Sequence, residues 1–291
     1  MLRIGLVGAG PWARSLHAKG LAASPDVTFA GVWARRQEAA GALVAEHGGR
    51  AYPTVDALIE DVDAVAFAVP PDVQAEHGTR AAKAGRHLLL EKPIAADVAS
   101  AQRLADAVHT AGVRTGVFFT AEYTAEAREF LAAATAASWH GARAAWVSGA
   151  LLSGEFVDSA WRHERGALWD VGPHAVELLD AALGPVTEVR AAARGQVDLV
   201  QLVLEHESGA VSQATLSLRV PAEPPLAELT LLGDGGALSF SLRGLAALDA
   251  YGVLVDELAG QVRGDEVRPA CDVDRGLHVQ RILARADELI R

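Results

Sequence analysis

The stretch LRIGLVGAGPWA, residues 2–13, limits what this chain can fold into more than any other. Its first half is aliphatic apart from Arg3, as expected of a strand covered on both faces. Gly8, Gly10 and Ala13 then follow at the spacing G-x-G-x-x-(G/A). Each small residue meets a separate steric need. Gly8 permits the tight turn, Gly10 lets the main chain approach a pyrophosphate, and Ala13 lets the next helix pack on the strand. With Pro11 and Trp12 between them, these residues form a candidate dinucleotide turn. The free N–H groups and positive dipole of the following helix face the phosphates.

The first half of the chain repeats this strand-then-helix rhythm. LRIGLV (2–7), VTFAGVW (27–33), DAVAFAV (63–69), RHLLLE (86–91) and TGVFF (115–119) are short aliphatic runs bounded by Gly, Pro or Asp. Amphipathic stretches at 36–47, 73–84 and 97–111 separate them, which predicts an α/β domain with a doubly wound parallel sheet over residues 1–120. Beyond about residue 140 the rhythm changes. TEVRAAA (187–193), DLVQLVLEH (198–206), AVSQATLSLRV (210–220) and LAELTLLG (226–233) follow one another with turn signals around them, which reads as an antiparallel meander. Helical patterns are confined there to 122–136, 173–183 and 274–290, so residues 121–291 are expected to form an α+β domain with an open, mostly antiparallel sheet.

At 291 residues and 51% hydrophobic, the chain can bury two cores. Its formal net charge of −11 repels polyphosphate and anionic lipid, so nucleic acid and membrane surfaces are not expected partners. The amino-terminal region imitates a signal peptide, but Arg14, His17 and Lys19 interrupt its apolar part. One cysteine, Cys271, excludes an internal disulfide and reads as a small buried hydrophobe, and the cytoplasm is the expected location.

Two further motifs bear on the cofactor and the chemistry. An acidic residue about 20 positions beyond the Gly-rich turn would hold the adenine ribose of NAD. Here the strand at 27–33 runs into VWARRQEAA, with no acid between Val27 and Gln37, and Arg35 and Arg36 stand where a 2′-phosphate would lie. Guanidinium groups suit a phosphate, which predicts NADP as the preferred cofactor with NAD possible; the alternative is a solvated arginine pair at a helix start. HLLLEKPIA then ends a strand in Glu91-Lys92-Pro93 at the edge where a parallel sheet meets its ligand. Of 26 basic residues only Lys19, Lys83 and Lys92 are lysines. A lysine can give up a proton where arginine cannot, although Glu91 and Lys92 are also readable as a surface ion pair.

GAGPWA, VPPDVQAEH, AGRHLLLEKP and SAWRHERGALWDVGPHAVELL, in this order, resemble the glucose-fructose oxidoreductase, inositol dehydrogenase and rhizopine catabolism family, Gfo/Idh/MocA. The resemblance spans nearly the whole chain. It implies a Rossmann domain followed by an α/β domain whose open sheet often forms an oligomer interface, hence a homodimer or homotetramer. It further implies that Lys92 contacts the reacting hydroxyl, with Pro93 in a cis linkage, and that Asp170 and His174 complete the catalytic set. Pro70 and Glu91 fall at positions near the cofactor, and the pair Trp161-Arg162 near the nicotinamide or substrate, with core packing the alternative for the tryptophan.

Physical reasoning adds to these roles. Pro173 suits the first helical position and Gly172 the cap before it, which puts His174 in the first turn. The positive helix end there favours a neutral imidazole able to accept a proton from an alcohol. Asp170 would orient the imidazole or hold a substrate hydroxyl. His163, Asp170 and His174 match no compact metal motif, and no metal is expected. The sequence departs from the family pattern at Gln74, where histidine is common, and in FFTAEYTAEAREF, which lacks a frequent arginine. The expected activity is hydride transfer between NADP and a secondary alcohol or carbonyl of a small polyhydroxylated molecule. The alternatives are an NADP(H)-binding regulator without turnover and a reductase of a non-sugar carbonyl.

Overall fold

The computed structural model describes residues 1–154, 156–265 and 271–290. They divide into two compact units, Met1–Tyr123 with Ala246–Leu277, and Thr124–Leu245 with His278–Arg291.

The first unit is built on strands β1 (Leu2–Val7), β2 (Val27–Trp33), β3 (Arg50–Ala51), β4 (Ala64–Phe67), β5 (His87–Leu90) and β6 (Thr115–Val117). They form one sheet in the order β3-β2-β1-β4-β5-β6, with every pair parallel. The order reverses between β1 and β4, and a crevice at the carboxyl ends of these strands is where such a sheet takes its ligand. Helices α1 (Lys19–Ala23), α2 (Gln37–His47), α3 (Val55–Asp61), α4 (Pro71–Lys83) and α5 (Val98–Ala111) make the crossovers. A wide turn with i→i+5 bonding, Ala13–Ala18, leads into α1.

The second unit holds α6 (Ala125–Thr135), β7 (Trp139–Val147), α7 (Ala160–Asp170), α8 (Gly172–Leu183), β8 (Val186–Arg194), β9 (Val200–His206), β10 (Val211–Ser217), β11 (Leu226–Gly233) and β12 (Gly236–Ser241). Its sheet runs β12-β11-β7-β10-β9-β8, and only the β7–β10 pair is parallel. The meander expected from the sequence is therefore interrupted. Strands β8, β9 and β10 are consecutive neighbours, but β7 lies between β10 and β11. Its sequence WHGARAAWV carries four small residues and does not advertise a strand. On β9, Val200, Leu202 and Leu204 are buried and Gln201 is exposed, so the more apolar of the two faces is the covered one.

The contiguous second domain expected at 121–291 needs correction. Helix α9 (Ala247–Arg263) packs in the first unit, where Tyr251, Leu254, Val255 and Leu258 join the core made by Ile4, Leu6, Leu16, Leu21 and Phe118. These four recur at one face of a helix, so burial on a sheet-covering layer follows from their spacing. The last helix, α10 (Val273–Ile290), carries the chain across the division. Cys271 is fully buried. Among the described residues no helix is long and apolar enough to cross a membrane.

Candidate active site

On the first unit the Gly-rich turn sits at the switch point of the sheet. The Gly8 N–H donates to the Trp33 carbonyl at 2.9 Å, fixing the turn to the end of β2. Gly8 has φ 123°, and a Cβ there would collide with the Ala68 carbonyl oxygen that ends β4, so only glycine is accommodated. A Cβ built on Gly10 meets nothing within 4 Å, which leaves the main chain open to a close approach from outside. Ala13 is fully buried. This open turn, placed between β1 and β4, fits a dinucleotide pyrophosphate. Pro70 stands at the N-cap of α4, three residues past the end of β4.

Arg35 and Arg36 follow β2, both exposed, and among the described residues neither side chain makes an ion pair or hydrogen bond. Glu91 and Lys92 leave the carboxyl end of β5, and the Lys92–Pro93 peptide is cis. The Glu91 Oε1 accepts from the Trp12 indole Nε1 at 2.7 Å and lies 2.9 Å from His17 Nε2. An exposed Glu91–Lys92 ion pair is therefore not what this segment forms: Glu91 is 9% exposed and its carboxylate faces inward. Gln74, which stands where the family often has histidine, clamps the main chain. Its Oε1 accepts from the Glu91 N–H at 2.8 Å, and its Nε2 donates toward the carbonyls of Glu91, Ile94 and Pro93 at 2.7, 3.2 and 3.3 Å.

The second unit carries the other predicted residues. The helix over Ala160–Asp170 is broken at Gly166, whose φ of 68° and ψ of −168° are not helical, and one turn restarts from Ala167. The sequence pattern does not announce this helix. Helix α8 then begins at Gly172, capped by Val171, so Gly172 is the first helical residue and not the cap, and Pro173 and His174 occupy the second and third positions. His174 remains in the first turn, its ring stacked on Trp146 of β7 with centroids 5.2 Å apart. Asp170 is 7% exposed and accepts from Arg162 Nε at 2.9 Å. The Arg162 guanidinium lies 4.2 Å above the Phe156 ring and 5.6 Å from that of Trp161. Two residues that the sequence assigns to different roles, Arg162 to the cofactor and Asp170 to catalysis, are thus joined directly.

Models of two consecutive regions of one family match this chain. The model described as "Oxidoreductase family, NAD-binding Rossmann fold" covers residues 2–119, and the "GFO/IDH/MocA C-terminal domain" covers 124–239. The chain belongs to the Gfo/Idh/MocA family.

Among curated Gfo/Idh/MocA relatives, the dTDP-3,4-didehydro-2,6-dideoxy-alpha-D-glucose 3-reductase of Streptomyces violaceoruber is 32% identical over 199 residues, 66% of this chain and 57% of that one. The glucose-6-phosphate 3-dehydrogenase of Bacillus subtilis (strain 168) is 32% identical over 123 residues, 42% of this chain and 35% of its own. The chain thus spans between about a third and somewhat over half of these relatives' lengths. Among solved structures, GenD2 from gentamicin A biosynthesis, in complex with NAD, superposes with a TM-score of 0.88 at 22% identity, over 99% of this chain and 93% of that one.

The roles of three residues are not legible in the sequence. Gln74 reads there only as a departure, His17 only as an interruption of the first apolar region, and Tyr251 falls on a helix whose apolar spacing does not say which sheet it covers.

Proposed function

We propose that this protein is an NADP-dependent oxidoreductase acting on a secondary alcohol or carbonyl of a small polyhydroxylated substrate, a sugar or polyol and most simply a phosphorylated or nucleotide-linked sugar. The observation that carries this reading is that the open Gly8–Ala13 turn and the Glu91-Lys92 segment share one carboxyl edge of the parallel sheet, tied by the Trp12–Glu91 hydrogen bond of 2.7 Å. The curated relatives named above act at the 3-position of sugars, which supports the substrate class.

Gly8, Gly10, Pro11, Trp12 and Ala13 would hold the pyrophosphate, with Pro70 and Glu91 beside the cofactor; the family resemblance also assigns Trp161 and Arg162 to cofactor contact. Arg35 and Arg36 would hold the 2′-phosphate, an assignment supported by two uncommitted guanidinium groups and the missing acid after β2. The nicotinamide supplies the hydride acceptor or donor when bound. Lys92 is assigned to the reacting oxygen, which its ammonium polarises. His174 is assigned to the proton, taken up on oxidation and returned on reduction. Asp170, paired with Arg162, positions the substrate.

The test begins with thermal-shift titrations using NADP(H) and NAD(H) in parallel, since a ligand at 100 times its Kd adds about 2.7 kcal/mol of stability. Stabilisation by NADP(H) should exceed that by NAD(H), and the difference should vanish in Arg35→Ala/Arg36→Ala. A panel of glucose 6-phosphate, UDP-N-acetylglucosamine, dTDP-sugars and myo-inositol follows, with Lys92→Ala and His174→Ala as controls. Turnover in either variant within about two-fold of the parent would remove that residue from the mechanism.

A further inference from the structure

We propose that His17 and Tyr251 are positioning residues that hold the Glu91 carboxylate and, through it, fix Lys92 at the edge of the first sheet; the functional meaning of this rests on the oxidoreductase reading above.

Every partner lies in the first unit. His17 is 1% exposed and sits in the wide turn Ala13–Ala18, where the i→i+5 spacing displaces the register of the following residues. One ring nitrogen, Nε2, is 2.9 Å from Glu91 Oε1, and the other, Nδ1, is 3.0 Å from the Tyr251 hydroxyl on α9. Complete burial, and secondarily the charge of Glu91, hold the Tyr251 phenol well above its ordinary pKa, so it is present as O–H. The charged Glu91 carboxylate can only accept, so the Nε2 that faces it carries a proton. In a neutral imidazole Nδ1 is then bare and accepts from the Tyr251 hydroxyl. Tyr251 thereby supports the tautomer that presents a donor to the carboxylate.

The remaining contacts complete a cage around one dipeptide. Trp12 adds a second donor to Oε1 at 2.7 Å, and the Lys92 N–H points at Oε2 from 3.3 Å. Gln74 holds the main chain of Glu91 and the carbonyls beyond it. Room for the tyrosine is built in: a Cβ on Gly20 would come within 2.6 Å of the Tyr251 ring, which meets the His17 ring edge-on with centroids 4.6 Å apart. Apolar residues would fill this space without the desolvation cost of a carboxylate, an imidazole and a phenol. What the polar set adds is direction: one carboxylate orientation, and hence one exit vector for the lysine that follows it.

The test uses the scarcity of lysine in this chain. Reductive methylation with 13C-formaldehyde labels Lys19, Lys83, Lys92 and the amino terminus, and Lys92→Arg assigns the Lys92 signal in the NMR spectrum. Tyr251→Phe, which removes one oxygen, and His17→Gln, which keeps an N–H donor, should both move the Lys92 signal and leave that of Lys83 in place. In 15N-histidine spectra, Tyr251→Phe should also shift the Nδ1 resonance of His17. With any substrate the panel yields, both variants should keep cofactor Kd and KM within about three-fold and lower kcat by about ten-fold, with His17→Leu worse than His17→Gln. A Lys92 signal that stays put in folded variants, or a kcat within about two-fold of the parent, would overturn the proposal. If the parent protein binds no dinucleotide and turns nothing over, the oxidoreductase reading fails by itself, and the Lys92 signal still decides whether His17 and Tyr251 position it.

Discussion

The Oδ2 of Asp198 accepts the Ala167 N–H at 2.6 Å, so a residue from the turn between β8 and β9 caps the helical turn that carries Asp170. Gly166 breaks the helix just ahead and leaves that N–H without an upstream carbonyl. The capping turn holds Val197 at φ 53° and Asp198 at φ 52°, a region that strains a β-branched residue above all. Ser217 Oγ secures it by donating to the Val197 carbonyl at 2.8 Å, and Arg194 lies 3.4 Å from the Asp198 carboxylate.

Losing this cap should be measurable. Asp198→Ala is expected to cost about 1 kcal/mol, a loss of roughly 2–4 °C in Tm for units of this size, and Asp198→Asn less, because its amide oxygen still accepts. Gly166→Ala should cost more than either, since its Cβ would collide with the Asp198 carboxylate at a backbone angle that favours glycine. Thermal melts of the three variants check the order, and an unchanged Tm in Asp198→Ala would remove the capping role.

Gly8→Ala tests the dinucleotide turn. The added methyl meets the Ala68 carbonyl at a φ of 123°, so the turn must open or β4 must shift. Backbone strain of this kind costs on the order of 1–3 kcal/mol. Stabilisation by NADP(H) in a thermal-shift titration should be lost or strongly reduced, while Gly10→Ala, whose Cβ has open space in the free protein, should melt like the parent yet still bind dinucleotide more weakly. Parent-like binding by both variants would place the cofactor elsewhere.

Gln74→Glu replaces a donor facing three carbonyls with a group that only accepts when ionised. Leaving buried acceptors unpaired costs about 1–3 kcal/mol, and the Glu91–Ile94 segment is the part that should loosen. Hydrogen exchange across residues 88–95 should rise in the variant and remain at parent levels across β1. Equal exchange in the two proteins would show that strand pairing alone holds the segment.

How far the sequence foretells this molecule follows from how local each signal is. Strands β1 and β2 match the expected runs residue for residue, and α5 and α8 begin within one residue of expectation, because their cues are aliphatic runs, caps and glycine stops. The Gly-rich turn and Glu91-Lys92-Pro93 are legible for the same reason. Strand β7 is not, since its alanines are strong helix formers and, like its glycine, are depleted in strands. Helix α9 carries a helical apolar spacing, but that spacing does not say which sheet it covers, so the return of the chain to the first unit is not legible. The link from Tyr251 to His17 spans 234 positions and depends on the wide turn at Ala13–Ala18, so no spacing in the sequence encodes it. Asp198 likewise acts on Ala167 from 31 residues away.

Acid should weaken the fold through buried neutral histidines. The His206 Nδ1 is 2.7 Å from the Gly184 carbonyl and its Nε2 is 2.8 Å from Ser212 Oγ, an arrangement that suits a neutral ring donating at one end and accepting at the other. Burial lowers its pKa and outweighs the opposing pull of the Gly184 carbonyl and the Asp180 charge. His77 and His87 are lowered as well, again chiefly by burial. For a group whose folded pKa lies below its unfolded one, the unfolded chain binds more protons in the window between them, so stability rises with pH there and levels off above about pH 6.5. Tm should therefore be flat above about pH 7 and fall as pH drops toward about 5.5. In His206→Gln, which keeps polar contacts but cannot titrate, the fall should be shallower whatever the absolute Tm. A slope identical to that of the parent would assign the acid sensitivity to other groups.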